Sequence, residues 1–344
     1  MVGGGAIHWR RGSAWGKMTA SMLKTSPQLS PLEQSILAAI AYHDVVSYPL
    51  TVEEIWKWLY VEYAWDLDEV AKATPADIER ALGSRALAEH LDRVGPYVSL
   101  KGRSQNVITR TERKFANERK WRRAKRVSGF LRLVPFVQFV GVVNTLALDN
   151  AKPESDIDLF IVVKRRRLWL TRAVVTMLTH LMGVRRHHDR VKDRVCLSFY
   201  VSERAMDLEH LSHPAIERDI YLHYWITQVV PMFERNGCWG RFLAANTWVA
   251  AHVPHGFNGV PAPYHSDDVL VKILRFIPEM IGLSLLGDVG EWLAYDVQYE
   301  HILAKKGSRV HDDTTDVVVT EDIMKFHEKD RRVEYHWAFR TRMA

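Results

Sequence analysis

The sequence contains little cysteine and no long apolar run. Only two cysteines, Cys196 and Cys238, occur among 344 residues, too few for a disulfide framework or a structural zinc site. No stretch of about 18 uncharged apolar residues is present, because Arg275 and Glu279 interrupt the most apolar segment, residues 273–286. We therefore expect a cytoplasmic protein without a membrane span.

Several common functional motifs are also missing. The sequence has no Walker A loop and no GxGxxG motif, since the glycines at positions 3–5 follow no predicted strand. His187 and His188 lie among arginines without a neighbouring thiolate, which disfavours a histidine metal site. Residues 1–28 lack the apolar stretch and cleavage site of a signal peptide, and we expect a flexible tail there.

The composition is that of a globular protein with more than one domain. The chain is 47% hydrophobic and 26% charged, and its length suits two or three domains. Its net charge of +6 suits an acidic partner such as a nucleotide or a nucleic acid, but many ordinary enzymes are equally basic. Composition therefore does not decide the function.

Residues 29–109 have the helix and strand order of a winged-helix-like domain. Three helix starts carry capping residues: Ser30 before Pro31, Thr51 with Glu54, and Thr74 before Pro75. The third helix is predicted to continue through residues 76–94, and the turn Gly95-Pro96 leads into a strand at residues 97–100. The alternative is an unspecialised small helical domain.

A strongly basic segment follows and is predicted to form one long connector helix over residues 110–130. From Arg110 to Arg126 it contains nine basic and two acidic residues, with Phe115 and Trp121 among them. Basic residues interleaved with aromatic ones can bind a nucleic-acid backbone. The alternative is a solvated helix that only joins two domains.

The central segment, residues 131–206, is predicted to be an α/β domain. Apolar strands are expected at 136–143, 156–163 and 195–201, with a helix over 168–183 between the last two. Beyond it, residues 207–344 have a mostly helical pattern and are expected to form a helical C-terminal region.

Two aspartates at the start of the second strand are the best candidates for chemistry. Alternate residues of a strand share a face, so Asp156 and Asp158 project together while Ile157, Leu159 and Ile161 are buried on the other side. Two adjacent carboxylates repel unless a cation such as Mg²⁺ neutralises them. The alternative is a strand end with two solvated aspartates.

The stretch GVVNTLALDNAKPESDIDLFIVV resembles the DNA polymerase beta-like nucleotidyltransferase superfamily. The resemblance implies an α/β (α+β) nucleotidyltransferase fold with a small mixed sheet, in which Asp156 and Asp158 bind Mg²⁺ or Mn²⁺. It places Asn144 and Thr145 where the family carries the Gly-Ser pair that holds phosphates. The implied reaction transfers an NMP group from a nucleoside triphosphate to a hydroxyl acceptor, which could be a small molecule, a nucleic acid or a protein.

The wider layout is similar to that of a bacterial group within this superfamily. In that group a winged-helix-like region precedes the transferase domain and a helical tail follows it. The segments that carry this resemblance are AYHDVVSYPLTVEEIW, CLSFYVSE, RFLAANTWV and FHEKD. The resemblance therefore extends over most of the chain, whereas the implied chemistry is confined to the central motif.

The sequence departs from the family pattern at two places. Asn144 and Thr145 replace Gly-Ser; Asn tolerates positive φ better than other non-glycine residues, and Thr145 keeps a hydroxyl for phosphate. The third carboxylate, which the family carries on the next strand, has no counterpart among Cys196, Ser198 and Tyr200. These departures favour an alternative function, a catalytically weakened nucleotide sensor or nucleic-acid-binding regulator. A scaffold without a ligand is a third possibility.

Cations for the triphosphate are expected in two places. Lys152 lies in the loop before the aspartates, and the cluster Lys164–Arg167 follows the second strand. A charge run after a strand is more often a solvated loop than a binding site. The oligomeric state is not predicted by any of these features.

Overall fold

The computed structural model describes residues 29–62, 66–187, 190–304, 307–312 and 314–344. The tail predicted for residues 1–28 lies outside them. The α-helices within these ranges are α1 Pro31–Val45, α2 Val52–Lys57, α3 Leu67–Lys72, α4 Pro75–Leu82, α5 Arg85–Ala88, α6 Asn106–Leu131, α7 Asn144–Ala147, α8 Leu168–Leu181, α9 Ile220–Thr227, α10 Cys238–Ala245, α11 Val269–Gly282, α12 Leu285–Leu303 and α13 Arg332–Met343. The strands are β1 Leu91–Val94, β2 Tyr97–Leu100, β3 Val137–Val142, β4 Ile157–Val163, β5 Val195–Ser202, β6 Val230–Glu234, β7 Val317–Val319 and β8 Ile323–Phe326.

The predicted capping residues begin three N-terminal helices. Ser30, Thr51 and Thr74 each accept a hydrogen bond from the backbone N–H three residues later and form a capping box. These caps satisfy backbone donors that no helical carbonyl can reach, which is why the helices begin there. The predicted helix starts are confirmed.

The prediction of one long third helix over residues 76–94 is wrong. Helix α4 ends at Leu82, Ser84 caps the separate short helix α5, and Leu91–Val94 is a strand. This strand pairs with β2 across a turn at Gly95, whose φ is +58°. Cross-strand hydrogen bonds thus outweigh the helical propensity of the preceding alanines and leucines.

A six-stranded mixed sheet forms the centre of the molecule, in the order β6-β3-β4-β5-β8-β7. Strands β4 and β5 are parallel and are joined through helix α8, whereas the other neighbouring pairs are antiparallel. The fold is therefore mixed α/β, as the sequence predicted. In the described residues no helix is long and apolar enough to cross a bilayer.

The two faces of the sheet contact different hydrophobic clusters. Leu159 and Ile161 of β4 point to the cluster that includes α6, α8 and Ile302 of α12. Phe160 and Val162 point to the opposite cluster, which also contains α9, α10 and the N-terminal helices. Both sides of the central strands are covered, which explains their continuous apolar sequence. The N-terminal region shares its core with the sheet.

The helical description of residues 207–344 needs correction. Three strands of the central sheet, β6, β7 and β8, come from this region. Strand β6 pairs with β3 and strand β8 pairs with β5, so the sheet crosses the expected boundary at residue 206. These strands have only three to five residues, too short for alternation to distinguish them from the ends of helices.

Candidate functional site

Asp156, Asp158 and Cys196 come together where β3 ends and where the parallel strands β4 and β5 begin. Asp156 precedes β4, and Asp158 is paired in register with Cys196 of β5. One ligand atom from each of the three side chains lies within 4.8 Å of the other two, and all three residues are half-buried. Ile157, Leu159 and Ile161 are buried behind them, as predicted.

An arginine that no sequence pattern singles out pairs with one of the two carboxylates. Arg186 donates from Nη1 to Oδ2 of Asp156 at 2.6 Å and lies 3.9 Å from the Cys196 sulfur. Its backbone N–H donates to the Val195 carbonyl at 2.9 Å, which holds the residue beside β5. The site thus consists of two carboxylates, one thiol and one guanidinium.

The environment disfavours negative charge on two of these groups. Burial, together with the nearby Asp156 carboxylate, raises the pKa of Asp158 to about 6. Burial and both carboxylates raise the pKa of the Cys196 thiol to about 12. Cys196 is therefore a protonated thiol at neutral pH, whereas the two aspartates repel each other in a partly desolvated site.

Asn144 connects the end of β3 to this cluster. Its φ is +61°, a conformation that Asn tolerates better than other non-glycine residues, in agreement with the sequence prediction. Its side-chain amide donates to Oδ2 of Asp158 at 2.8 Å and accepts from the Tyr221 hydroxyl at 3.1 Å. Thr145 follows in the short helix α7 and is half-buried. Asn144 thus bonds directly to one of the two aspartates.

Helix α6 fixes the loops that lead into the site. The fully buried Lys120 donates from Nζ to the Ser155 carbonyl at 2.5 Å and to Asp193 Oδ1 at 2.7 Å. Asn117 accepts from the Ala151 backbone N–H at 2.9 Å. Because Ser155 adjoins Asp156 and Asp193 lies shortly before Cys196, one buried cation fixes both ligand-bearing segments relative to each other.

This arrangement changes the interpretation of the basic helix. Helix α6 is confirmed as one long helix, but several of its cations form ion pairs with the rest of the protein, and Lys120 is completely buried. Arg110 pairs with Glu54 at 2.7 Å, and Arg119 pairs with Asp193 at 2.8 Å. Neither a solvated connector nor a fully exposed basic surface describes it. Phe115, in contrast, is 78% exposed.

The cluster Lys164–Arg167 does not reach the site. It follows the far end of β4, and this seven-residue strand spans about 20 Å. Arg167 instead donates to the Gly282 carbonyl and to Asp288, both at 2.7 Å. The expectation that this cluster receives a triphosphate is therefore wrong. Lys152, the other expected cation, is exposed in the loop before Asp156.

Three residues of the site escaped sequence reasoning. Arg186 lies in an arginine- and histidine-rich loop without a local pattern that would point to Asp156. Tyr221 belongs to α9, far along the chain from Asn144. Cys196 carries no acid that would point to a site, and only the parallel β4–β5 pairing places it opposite Asp158. Of the adjacent histidines, His187 contacts the His180 ring, and His188 lies outside the described residues.

Comparison of the chain with protein-family models, with curated proteins and with solved structures found no match.

Proposed function

We propose that this protein is a metal-dependent nucleotidyltransferase that moves an NMP group from a nucleoside triphosphate to a hydroxyl acceptor. The observation that carries the proposal is the convergence of Asp156 and Asp158 with the positive-φ turn at Asn144, which bonds directly to Asp158. This is the juxtaposition that the resemblance to polymerase beta-like nucleotidyltransferases implies. It unites a candidate cation site with a candidate phosphate site.

The donor set fits a divalent cation. The Asp156 carboxylate makes ionisation of Asp158 less favourable, and a cation that both carboxylates can bind offsets this repulsion. Mg²⁺ takes one or two carboxylates plus water and phosphate oxygens. The protonated Cys196 thiol is a ligand for neither cation, so Asp156 and Asp158 are the side chains that would hold Mg²⁺ or Mn²⁺. When bound, such a cation offsets charge on the attacking and leaving oxygens of an in-line displacement.

The chain's own residues would bind and orient the triphosphate. Asp156 and Asp158 hold the cation, and Asn144 keeps the Asp158 carboxylate aligned through its 2.8 Å hydrogen bond. The backbone turn at Asn144 and the Thr145 hydroxyl receive a phosphate. Arg186 is the guanidinium nearest the carboxylates and exchanges its bond to Asp156 for one to a phosphate oxygen. Its planar donors suit that role.

The order of strands and helices supports the proposed nucleotidyltransferase function. Strand β3, the Asn144 turn, strand β4, helix α8 and strand β5 follow one another as the resemblance implies for a nucleotidyltransferase domain. For the N-terminal region we propose a winged-helix-like domain. This is supported by helices α1, α2 and α4 and by the β1–β2 hairpin, which is extended by a backbone bridge between Leu50 and Val98.

A second function, nucleotide sensing without transfer, is favoured by one specific feature. The position opposite Asp158 on β5 is occupied by the Cys196 thiol, whose raised pKa keeps its proton at neutral pH. A protonated thiol cannot accept the proton of an acceptor hydroxyl. In this alternative the site binds a nucleotide and a cation but does not transfer the NMP group. The bound nucleotide then regulates the rest of the protein.

Titration calorimetry with ATP, GTP, CTP and UTP in Mg²⁺ or Mn²⁺ tests both functions. We expect metal-dependent binding of a triphosphate to the wild-type protein and its loss in the double variant Asp156→Asn/Asp158→Asn, because the amides cannot neutralise the cation. The matched control is Asp68→Asn, an exposed aspartate of α3, which should bind as the wild type does.

The outcomes separate the two functions. Release of pyrophosphate by the wild type, abolished in the double variant, supports transfer. Metal-dependent binding without pyrophosphate release over hours supports sensing. If neither protein binds any triphosphate, both proposals are wrong.

A further inference from the structure

The hairpin formed by α11 and α12 carries the largest exposed apolar surface in the described part of the chain. Fifteen large hydrophobic residues between Val269 and Val297 are each 49% to 81% exposed. Scattered exposed hydrophobic side chains are normal on protein surfaces, but a contiguous patch of this size marks an interaction site.

The orientation of α11 is the reverse of that expected for a surface helix. Its charged residues Arg275 and Glu279 face the protein, whereas Ile273, Phe276 and Ile277 are 62% to 66% exposed. Arg275, 2% exposed, donates to Asp267 at 2.5 Å, and Glu279 accepts from Arg235 at 2.5 Å. Because these polar contacts fix the inner face, the helix cannot rotate to bury its apolar side.

Helix α12 is held in the same way on its inner side. Glu291 accepts hydrogen bonds from the Trp169 and Leu170 backbone N–H groups, both at 2.9 Å. The Trp169 ring packs edge-on against Tyr295 at a centroid distance of 4.9 Å. These contacts anchor the inner side of α12, and its outer side faces solvent, where Trp292 is 62% exposed.

We propose that this face joins two copies of the chain in a homodimer, in which the two hairpins form a four-helix bundle. The exposed apolar residues recur at intervals of three and four. On α11 the series is Leu270, Ile273, Ile277 and Met280, and on α12 it is Leu286, Val289, Leu293 and Val297. This spacing is typical of the seam between packed helices in bundles.

The area of the face matches what a stable dimer needs. At roughly 100 Å² of exposed surface per residue, the fifteen residues present on the order of 1,500 Å² on one copy. Doubled across a two-fold axis, this area falls in the class of obligate homodimers, which bury about 2,000–5,000 Å² in total. A transient partner would need only about half of it.

The charges around the face are complementary in an antiparallel arrangement. The closed end of the hairpin lies against the turn Lys164–Arg167, where Arg165 and Arg166 are exposed. The open end carries the exposed acids Asp296 and Glu300 and one exposed cation, Lys272. When two hairpins dock antiparallel, the open end of one lies over the closed end of the other, so acids meet arginines at both edges of the interface.

The test is the mass of the full chain in solution by light scattering coupled to size exclusion, without detergent, from 1 to 50 µM. We expect roughly twice the chain mass of 39.8 kDa for the wild type. Ile277→Glu on α11 or Leu293→Glu on α12 should raise the dissociation constant on the order of 100-fold, because each buries two uncompensated charges per dimer. The control Phe115→Glu alters an equally exposed side chain on α6 and should leave the dimer intact.

Three results would overturn the proposal. The first is a wild-type protein that stays at the mass of one chain up to 50 µM. The second is a dimer that persists in both hairpin variants, because its interface then lies elsewhere. The third is a monomer that cosediments with phosphatidylcholine vesicles through the same residues, because the face would then bind lipid. Circular dichroism of each variant establishes that it is folded, and the wild-type result does not depend on any variant.

Discussion

Helices α6 and α11 differ in composition but share an unexpected property. Helix α6 is strongly basic, yet its Lys120 is completely buried while its Phe115 is 78% exposed. Helix α11 is strongly apolar, yet its Arg275 is 2% exposed and its Ile277 is 66% exposed. Each helix thus buries one of its charged side chains and exposes one of its large hydrophobic side chains. The composition of a helix therefore does not decide which of its residues are buried.

The difference between the two helices lies in what each inner face contacts. Lys120 of α6 reaches backbone carbonyls and the Asp193 carboxylate around the candidate site. Arg275 of α11 reaches Asp267 and the Arg132 carbonyl, the latter at 2.7 Å. A buried charge is tolerated when a partner and hydrogen bonds compensate for its desolvation. Loop carbonyls and carboxylates can therefore hold a buried charged side chain from a basic helix or from an apolar one.

Loss of the Lys120 amine gives the largest expected effect. Lys120→Ala should lower the free energy of unfolding by about 3 kcal/mol. The Pro153 and Ser155 carbonyls lose their buried donor, and the Asp193 carboxylate keeps only its ion pair with the exposed Arg119. Urea unfolding followed by circular dichroism measures this change. Arg122→Ala, an exposed cation of the same helix, is the matched control and should stay within about 0.5 kcal/mol. A loss below about 1 kcal/mol for Lys120→Ala would mean that α6 does not fix the site loops.

Loss of the Arg275 guanidinium should have a somewhat smaller effect. Arg275→Ala should lower the free energy of unfolding by about 2 kcal/mol, because the Arg132 carbonyl loses its donor while Asp267, partly exposed, regains some solvation. Lys272→Ala, exposed on the same helix, is the control. Equal effects of the two substitutions would show that the inner face of α11 contributes no more than its solvent side, and the comparison with α6 would fail.

The pH dependence of stability should show the smallest effect. Burial alone would raise the pKa of Asp193, but the ion pairs with Arg119 and Lys120 hold it below the ordinary value of 3.8. The charged carboxylate therefore stabilises the folded state fully above that value, and the stabilisation is lost as the pH falls through the lower folded-state pKa.

Urea midpoints at pH 7, 5, 4 and 3 measure this dependence. Asp193→Asn should be less stable than the wild type at pH 7 and should lose less of its stability between pH 4 and 3. Asp68→Asn should follow the wild type throughout. Parallel curves for Asp193→Asn and the wild type would contradict the assigned role of the α6 ion pairs.

Much of the central fold could be predicted from local patterns. Continuous apolar runs predict the strands of the DIDLFIVV and VCLSFYV segments, the length of the apolar segment between them predicts a helix, and the capping residues predict three helix starts. A continuous apolar run identifies these strands because both of their faces are buried. The short strands β6, β7 and β8 could not be found, because they exist only through pairing with distant strands.

The candidate site was predicted in part. The pairing of Asp156 with Asp158 follows from strand alternation, and the positive φ of Asn144 is a conformation that asparagine tolerates better than other non-glycine residues. The positions of Arg186 and Tyr221 could not be predicted, because their contacts join segments that are far apart in sequence. The prediction that the cluster Lys164–Arg167 binds the triphosphate failed for the opposite reason. The cluster is close to the aspartates in sequence but lies at the other end of β4.

Sequence alone determined the local properties of this protein: where helices begin, which strands are buried on both sides and which two carboxylates share a face. These depend on backbone hydrogen bonding and on the two-residue period of a strand. Tertiary structure alone decided that Arg186 meets Asp156, that Lys120 is buried and that the apolar side of α11 faces outward. The free energy of a charged or apolar side chain depends on its partners, and those partners are chosen by the way distant segments pack.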